Sequence, residues 1–282
     1  MNTVDLHTHS TCSDGTFTPK ELVAYGKKKG LKAIALTDHD TLEGISEALY
    51  YGEKFGIEVI PGIEISTEYE NNELHIVGLF VSNESEELKS ALENLRKSRE
   101  MRNIEMVEKL NNIGVDISYE NVLKRAGGGI VTRAHIAGEV MALGYASSNN
   151  EVFERYIGKD KPAYIKRNLM SWQDTLYLIK NSGGLPVLAH PLLYKLSDRR
   201  LEMIVSDLAN HGLCAIEAYY STHSPAEVKY VKTLAEKNKL KLSGGSDFHG
   251  ANKPKIDLGT GYGSLQVPYE VLESLRKGVK NA

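Results

Sequence analysis

Residues 5–16 read DLHTHSTCSDGT, and this stretch decides how the chain is understood. His7 and His9 stand two apart, and Asp14 follows five residues after His9. Alternate residues of a strand face the same side, so the two imidazoles point together while Leu6 and Thr8 point away. Two imidazoles on one face with a carboxylate close behind make a donor set for a metal. The alternative is a polar loop that holds two histidines by chance.

Outward from this stretch, short apolar runs alternate with amphipathic segments. TVDLHTH reads as a strand and TPKELVAYGKKKG as a helix with a Thr-Pro start and a Gly stop. LKAIALTDHD is a strand again, TLEGISEALYYGEKFG a helix, and IEVIPGIEIST and ELHIVGLFV are strands. The alternation predicts an α/β fold with a mostly parallel sheet or barrel.

Near Asn83 the pattern changes. Leu88, Leu92, Leu95, Ile104, Val107 and Leu110 fall near helical spacing, so one long helix or two should end at Gly114. SYENVLKRAGGG and TRAHIAGEVMALG look like two further helices with a Gly-rich turn between them. An all-helical insertion over 84–160 is therefore expected, dividing a barrel into 1–83 and 161–282. Strand-helix alternation resumes with SWQDTLYLIKNSGG, LPVLAHP, CAIEAYYS, SPAEVKYVKTLAEKNK, LKLSGGSDFHG and a closing helix, PYEVLESLRKGVK.

Composition bounds the function. The 282 residues are 41% hydrophobic and 25% charged, the balance of an ordinary globular protein. A formal net charge of −3 argues against coating nucleic acid or a membrane surface, while leaving room for a local basic pocket. Cys12 and Cys214 stand far apart in no C-x-x-C pair, so neither a disulfide framework nor a zinc ribbon is indicated. The first residues, MNTVDLHTHS, lack the basic and apolar run of a signal peptide. No apolar stretch approaches the roughly 20 residues that cross a bilayer. A reducing cytoplasm is the expected compartment.

Further candidate ligands also cluster at strand ends. Asp247 and His249 repeat the i, i+2 pairing of His7 and His9; His39 lies in LTDHD, Glu64 in PGIEIS, His75 in ELHIVG and His190 in VLAHP. In parallel α/β architectures the strand C-termini are where sites are built. With Asp14 there are nine candidates, six histidines and three carboxylates. One ion needs about four to six ligands, so the count implies two or three ions, with Glu64 as bridging carboxylate. Imidazole and carboxylate without thiolate suit Mn, Zn or Fe better than Mg or Ca, and Mn is favoured. His211 and His223 lie in a helix end and a loop and are left out.

DLHTHSTCSDG, ALTDHDT, PGIEIS, LHIVG, AHP and GGSDFHG resemble the successive motifs of the PHP (polymerase and histidinol phosphatase) family, over almost the whole chain. The resemblance implies a distorted seven-stranded (β/α) barrel with a trinuclear metal site at its C-terminal mouth. It implies that His7, His9, Glu64 and Asp247 hold one ion; Glu64, His75 and His190 a second; and Asp14, His39 and His249 a third. Where some family members carry a histidine this chain has Asp14, which implies a different metal preference there. TRAHIAGEV, KPAYIKR and NSGGLPVLAHP resemble the stand-alone phosphoesterase branch. That branch includes phosphatases of nucleoside 3′,5′-bisphosphates and enzymes that trim short 5′-phosphorylated RNA.

The chemistry follows from the donors. Neighbouring metal ions activate water near neutral pH and clamp phosphoryl oxygens. Ser246 stands in GGSDF without a G-x-S-x-G frame, so a metal-activated hydroxide is the expected nucleophile. Arg133 and His135 follow Thr132, a predicted N-cap, in a first helical turn that favours anions. Arg167, beside Lys166, rejoins the barrel and is a second phosphate-binding candidate. His135 is also a candidate to protonate the leaving group, and Asp40 is a candidate for proton transfer or for orienting its neighbours. Tyr145, Tyr156, Tyr164 and Trp172 are candidates to stack a base, though most tyrosines here should be packing.

The expected function is hydrolysis of a phosphomonoester of a small phosphorylated substrate, a nucleoside 3′,5′-bisphosphate or a short 5′-phosphorylated oligonucleotide, with two to three divalent metal ions. No stable nucleic-acid complex and no membrane association are expected, and nothing in the sequence sets the oligomeric state. The alternatives are a sugar or amino-alcohol phosphate phosphatase and a catalytically inactive metal-binding module.

Overall fold

The computed structural model describes residues 2–70 and 72–279. Strands β1 (Thr3–Asp5), β2 (Ala33–Leu36) and β3 (Glu58–Tyr69) lie parallel, joined by helices α1 (Pro19–Lys28) and α2 (Ile45–Phe55). Helix α1 begins where its sequence dictates. Thr18 and Glu21 form a capping box, and Pro19 takes the first helical position, where its missing N–H costs nothing.

Strand β4 (Asn72–Leu79) runs antiparallel to β3, pairing Ser66 with His75. The sheet is mostly parallel, as expected, with β4 an antiparallel strand within it. Only two residues separate β3 from β4 in sequence, and so short a link can only reverse the chain. The reversal matters, because it sets His75 diagonally across from Glu64 on the same face.

The chain then forms α3 (Glu86–Asn112), α4 (Tyr119–Ala126), α5 (Arg133–Ala142) and α6 (Asn149–Val152), the last running into a π-turn over Phe153–Ile157. No strand occurs in this stretch among the described residues. The long segment is one helix of 27 residues, and Gly114 beyond it takes the expected left-handed turn with φ 86°. Its buried face differs from the predicted one. Leu95 is followed by Arg99, Arg102, Asn103 and Met106, whereas Ile104 is 38% exposed. The first half of α3 packs Leu88, Leu92 and Leu95 on the barrel. The second half enters a separate core with Val122, Ile136, Val140 and Ile157. Each such fully buried side chain contributes about 1.5–3 kcal/mol.

After β5 (Met170–Ser171), paired with β3, the chain alternates α7 (Trp172–Asn181), β6 (Leu185–Leu188), α8 (Asp198–Asn210), β7 (Ala215–Tyr220), α9 (Pro225–Lys237) and β8 (Lys241–Gly245). It ends with β9 (Val267–Pro268) and α10 (Tyr269–Val279). The sheet order is β8-β7-β6-β4-β3-β2-β1-β9. That path holds eight strands where seven were expected, because the two-residue β9 pairs antiparallel with β1. The sheet nearly closes into a barrel: Leu6 N donates to Gly244 O at 3.1 Å, and Thr8 and Phe248 form a parallel bridge. No helix among the described residues is long and apolar enough to cross a membrane.

Candidate metal centre

All nine expected ligands meet at one mouth of the barrel. His7 and His9 follow β1, His39 follows β2, Glu64 lies in β3, His75 in β4, His190 follows β6, and Asp247 and His249 follow β8. Glu64 is the hub. Its Oε1 lies 2.9 Å from His75 Nδ1 and 3.0 Å from His190 Nε2. Its Oε2 lies 3.2 Å from His7 Nε2, 3.3 Å from His9 Nε2 and 3.2 Å from His39 Nδ1. Asp247 Oδ1 is 3.4 Å from His9 Nε2 and 3.3 Å from His249 Nδ1. Asp14 Oδ1 is 3.2 Å from His249 Nε2. Four overlapping groups offer converging ligand atoms: His9, Asp14, His39 and His249; His7, Glu64 and His190; His7, His9 and Asp247; and His39, Glu64 and His75.

The donors fit metal ions. His7 Nδ1 lies 3.1 Å from Glu217 Oε1, so that nitrogen carries the ring proton. The lone pair on Nε2 then faces the oxygens of Glu64 and Asp247, and this buried nitrogen has no hydrogen-bond partner. Both ring nitrogens of His9 and Nδ1 of His39 are buried and unpartnered as well. Acceptors gathered this closely without donors are relieved by cations, and nitrogen with oxygen donors suits borderline divalent ions.

The electrostatics agree. Burial opposes ionisation of Glu64, yet His39, His7 and His75 hold its carboxyl well below the usual range. Burial likewise works against charge on His9 and His75, but the carboxylates facing them raise their pKa to about 9 and about 10. Burial pushes His39 down to about 3. The pocket concentrates positive charge, carried by protons or by metal.

Sequence reasoning missed several supports. Glu217 Oε2 accepts from the His190 backbone N–H at 2.7 Å. Asp247 Oδ2 accepts from Tyr220 Oη at 2.6 Å and from Lys253 Nζ at 2.7 Å. A buried Glu inside the apolar run AIEAYY was the available signal for Glu217.

Next to the ligands lies a cluster of guanidinium groups. Asp40 Oδ2 accepts from Arg99 and, at 3.1 Å, from Arg167 Nη1. Arg133 Nη2 is 3.5 Å from Glu73 Oε2. Arg102 is 6% exposed and has no ion pair among the described residues. Burial, and after it the charges of Arg99, Arg133 and Arg167, pulls its pKa down. Four guanidinium groups thus face two carboxylates. Arg99 and Arg102 were missed because the apolar face expected for this helix ran through Leu95 and Ile104 and left them off it.

Asp40 serves this cluster as an anchor. Burial opposes its charge, but Arg167 and Arg99 hold its carboxyl at about 2. As a carboxylate at neutral pH it holds the two guanidinium groups in place and has no proton to donate. His135 Nδ1 accepts from Thr132 N at 3.1 Å, closing a capping box. Burial pushes its pKa down, so it is a neutral imidazole with the proton on Nε2. Ile130 N donates to Cys12 O at 3.1 Å, pinning the turn before α5 to the loop that carries Asp14.

Of the aromatic candidates, Tyr164 lines a cavity of about 270 Å³ with Arg133, Lys159, Lys166, Arg167 and Tyr194. Tyr145 and Tyr156 pack on the core of α3–α6, and Trp172 stacks on Tyr69 within the sheet core. His211 caps α8, and His223 Nδ1 lies 3.0 Å from the Ala218 carbonyl, so neither joins the site.

Residues 5–170 match the PHP domain family. The 5′-3′ exoribonuclease of Salmonella typhimurium is 36% identical over 257 residues, covering 90% of this chain and 87% of its own. The 3′,5′-nucleoside bisphosphate phosphatase of Chromobacterium violaceum is 29% identical over 260 residues, 92% of this chain and 91% of its own. A Bifidobacterium adolescentis structure assigned as a metal-dependent phosphoesterase aligns with a TM-score of 0.87 at 28% identity, covering 97% of this chain and 95% of that one. The chain therefore belongs to the PHP domain family, and it is a metal-dependent phosphoesterase.

Proposed function

We propose that the enzyme hydrolyses a phosphomonoester of a nucleoside 3′,5′-bisphosphate or of a short 5′-phosphorylated oligonucleotide. The observation that carries this reading is the arginine cluster beside the candidate ligand set, above all the buried Arg102, which has no ion pair among the described residues. A single phosphate over the metals leaves those charges unanswered, whereas a second phosphate answers them.

His7, His9, Glu64 and Asp247 would hold one divalent ion, Glu64, His75 and His190 a second, and Asp14, His39 and His249 a third. Manganese is the favoured metal. Bound ions would supply water made nucleophilic near neutral pH and would offset charge on the phosphoryl oxygens. Arg133 and Arg167 grip phosphate, with Asp40 holding Arg167 in place. His135 donates from Nε2 to a phosphate or leaving-group oxygen. Residues 84–160 act as a cap that covers the mouth and excludes water. Tyr164 and Tyr194 offer faces to the nucleoside. Cys12 and Cys214 are both unpaired thiols, the state a reducing cytoplasm maintains.

The Salmonella relative, an exoribonuclease, favours keeping the oligonucleotide beside the bisphosphate. The test is phosphate or nucleotide release by Mn²⁺-loaded enzyme from adenosine 3′,5′-bisphosphate, a 5′-phosphorylated RNA trinucleotide and histidinol phosphate. Turnover of either nucleotide is expected. Turnover of histidinol phosphate alone would overturn the reading in favour of an amino-alcohol phosphate.

A further inference from the structure

A cavity of about 720 Å³ lies at the other end of the barrel from the ligand cluster. Leu185 opens β6, Cys214 precedes β7 and Lys241 opens β8, and all three line it. These strands run parallel, and their far ends lead to His190, Tyr220 and Asp247. The cavity is therefore separate from the metal centre yet built on the same strands.

Its lining is one-sided in charge. Lys180, Lys237, Lys239 and Lys241 surround it, and no acidic side chain among the described residues lines it. Helix C-termini explain part of this, since Lys180 and Lys237 lie in the last turns of α7 and α9 and answer free carbonyls there. Lys237 is also neutralised by Glu202 at 2.8 Å. Lys239 and Lys241 lie beyond α9 and are not so explained. Neither they nor Lys180 has an ion pair among the described residues.

The lysine stems are also seated. A Cβ on Gly212 would lie 3.0 Å from Lys180 Nζ, and one on Gly278 would lie 2.8 Å from Lys241 Cε. Two bare glycines thus make room for side chains lying against backbone. Lys239 itself adopts φ 56°, in the left-handed region that non-glycine residues seldom occupy. Cys214 donates its thiol to Gly212 O at 3.4 Å and stays half-buried beside the lysines.

We propose that this cavity is a second anion site that takes a phosphate group, presented as inorganic phosphate or on a mononucleotide. Its volume lies within the range of small-molecule sites and accommodates either. Lys239 and Lys241 carry the binding, Lys180 assists, and Asn210 and Asn238 supply neutral donors. The site needs neither the metals nor the arginine cluster, so its test is independent of the substrate reading.

Cys214 is a built-in reporter. The holoenzyme is treated with N-ethylmaleimide in inorganic phosphate, in AMP, or in chloride at matched ionic strength, and Cys214 labelling is followed by peptide mass spectrometry. A ligand at ten times its Kd should slow labelling about tenfold. Protection by inorganic phosphate identifies the free ion as a sufficient ligand, and protection by AMP alone identifies the nucleotide. The double variant Lys239→Ala/Lys241→Ala should lose the protection and keep the basal rate of phosphate-ester hydrolysis. No protection in the wild type, or protection that survives in the double variant, overturns the site.

Discussion

Glu217 receives the His7 ring N–H on one carboxylate oxygen, at 3.1 Å, and the His190 backbone N–H on the other, at 2.7 Å. One buried carboxylate thereby sets the tautomer of one candidate ligand and the backbone position of another, whose φ is 29°. Glu217→Gln keeps the volume but turns an N–H toward a donor. It should weaken metal affinity about 10–100-fold while leaving the fold intact. Calorimetric titration with Mn²⁺ or Zn²⁺ measures this, and unchanged affinity would remove the role.

Asp40 joins the barrel to Arg99 of α3 and to Arg167 where the chain returns. Asp40→Asn leaves two buried guanidinium groups without their anion and should cost about 3 kcal/mol. The loss depends on pH with a definite sign. The folded-state pKa is lowered from 3.8 to about 2, so the stabilisation is complete above about pH 4 and disappears as pH falls toward about 2. The gap in Tm between wild type and variant should close over that window. A gap independent of pH would mean that the pair does not carry the difference.

Arg102 is buried beside like charges and forms no ion pair among the described residues. Arg102→Met should raise Tm, by about 2 kcal/mol of stability, since it replaces a buried charge with an apolar chain. The same change should raise KM for adenosine 3′,5′-bisphosphate about 10–100-fold through loss of charge-assisted hydrogen bonds, and scarcely alter KM for an aryl phosphate. Equal effects on the two substrates would discard the second-phosphate role.

His9 and His75 have pKa values raised to about 9 and about 10, chiefly by carboxylates working against burial. At neutral pH both are protonated until a cation displaces the proton. Metal binding should therefore release protons, and affinity should rise with pH up to those values. Titrations at pH 7 in buffers of different ionisation enthalpy count the released protons. No net release would contradict the assignment of these histidines as ligands.

The sequence exposed the candidate ligand set because those residues lie at strand ends, where parity and position are local properties. Capping signals were equally local, as at Thr18 with Glu21 and at Thr132. The antiparallel β4 was hidden because alternating strand and helix signals carry no direction; only the two-residue gap before Asn72 bears on it. Arg99 and Arg102 were obscured because the expected apolar face was drawn through Ile104. The helical period from Leu95 to Met106 and Leu110 runs through those arginines, and Ile104 lies off it. Glu217 and Tyr220 act through contacts with His7 and Asp247, distant in sequence, and the one local sign was the glutamate inside the apolar run AIEAYY.

The central claim is that the histidine–carboxylate mouth does phosphoester chemistry through bound metal. Its most direct test is phosphate release from adenosine 3′,5′-bisphosphate by chelator-stripped enzyme, with metal content measured on the same sample before and after adding Mn²⁺. Release should be absent from stripped protein and return as ions bind, and Glu64→Ala should bind fewer ions and recover little. Full turnover by protein verified to be free of metal would contradict the account.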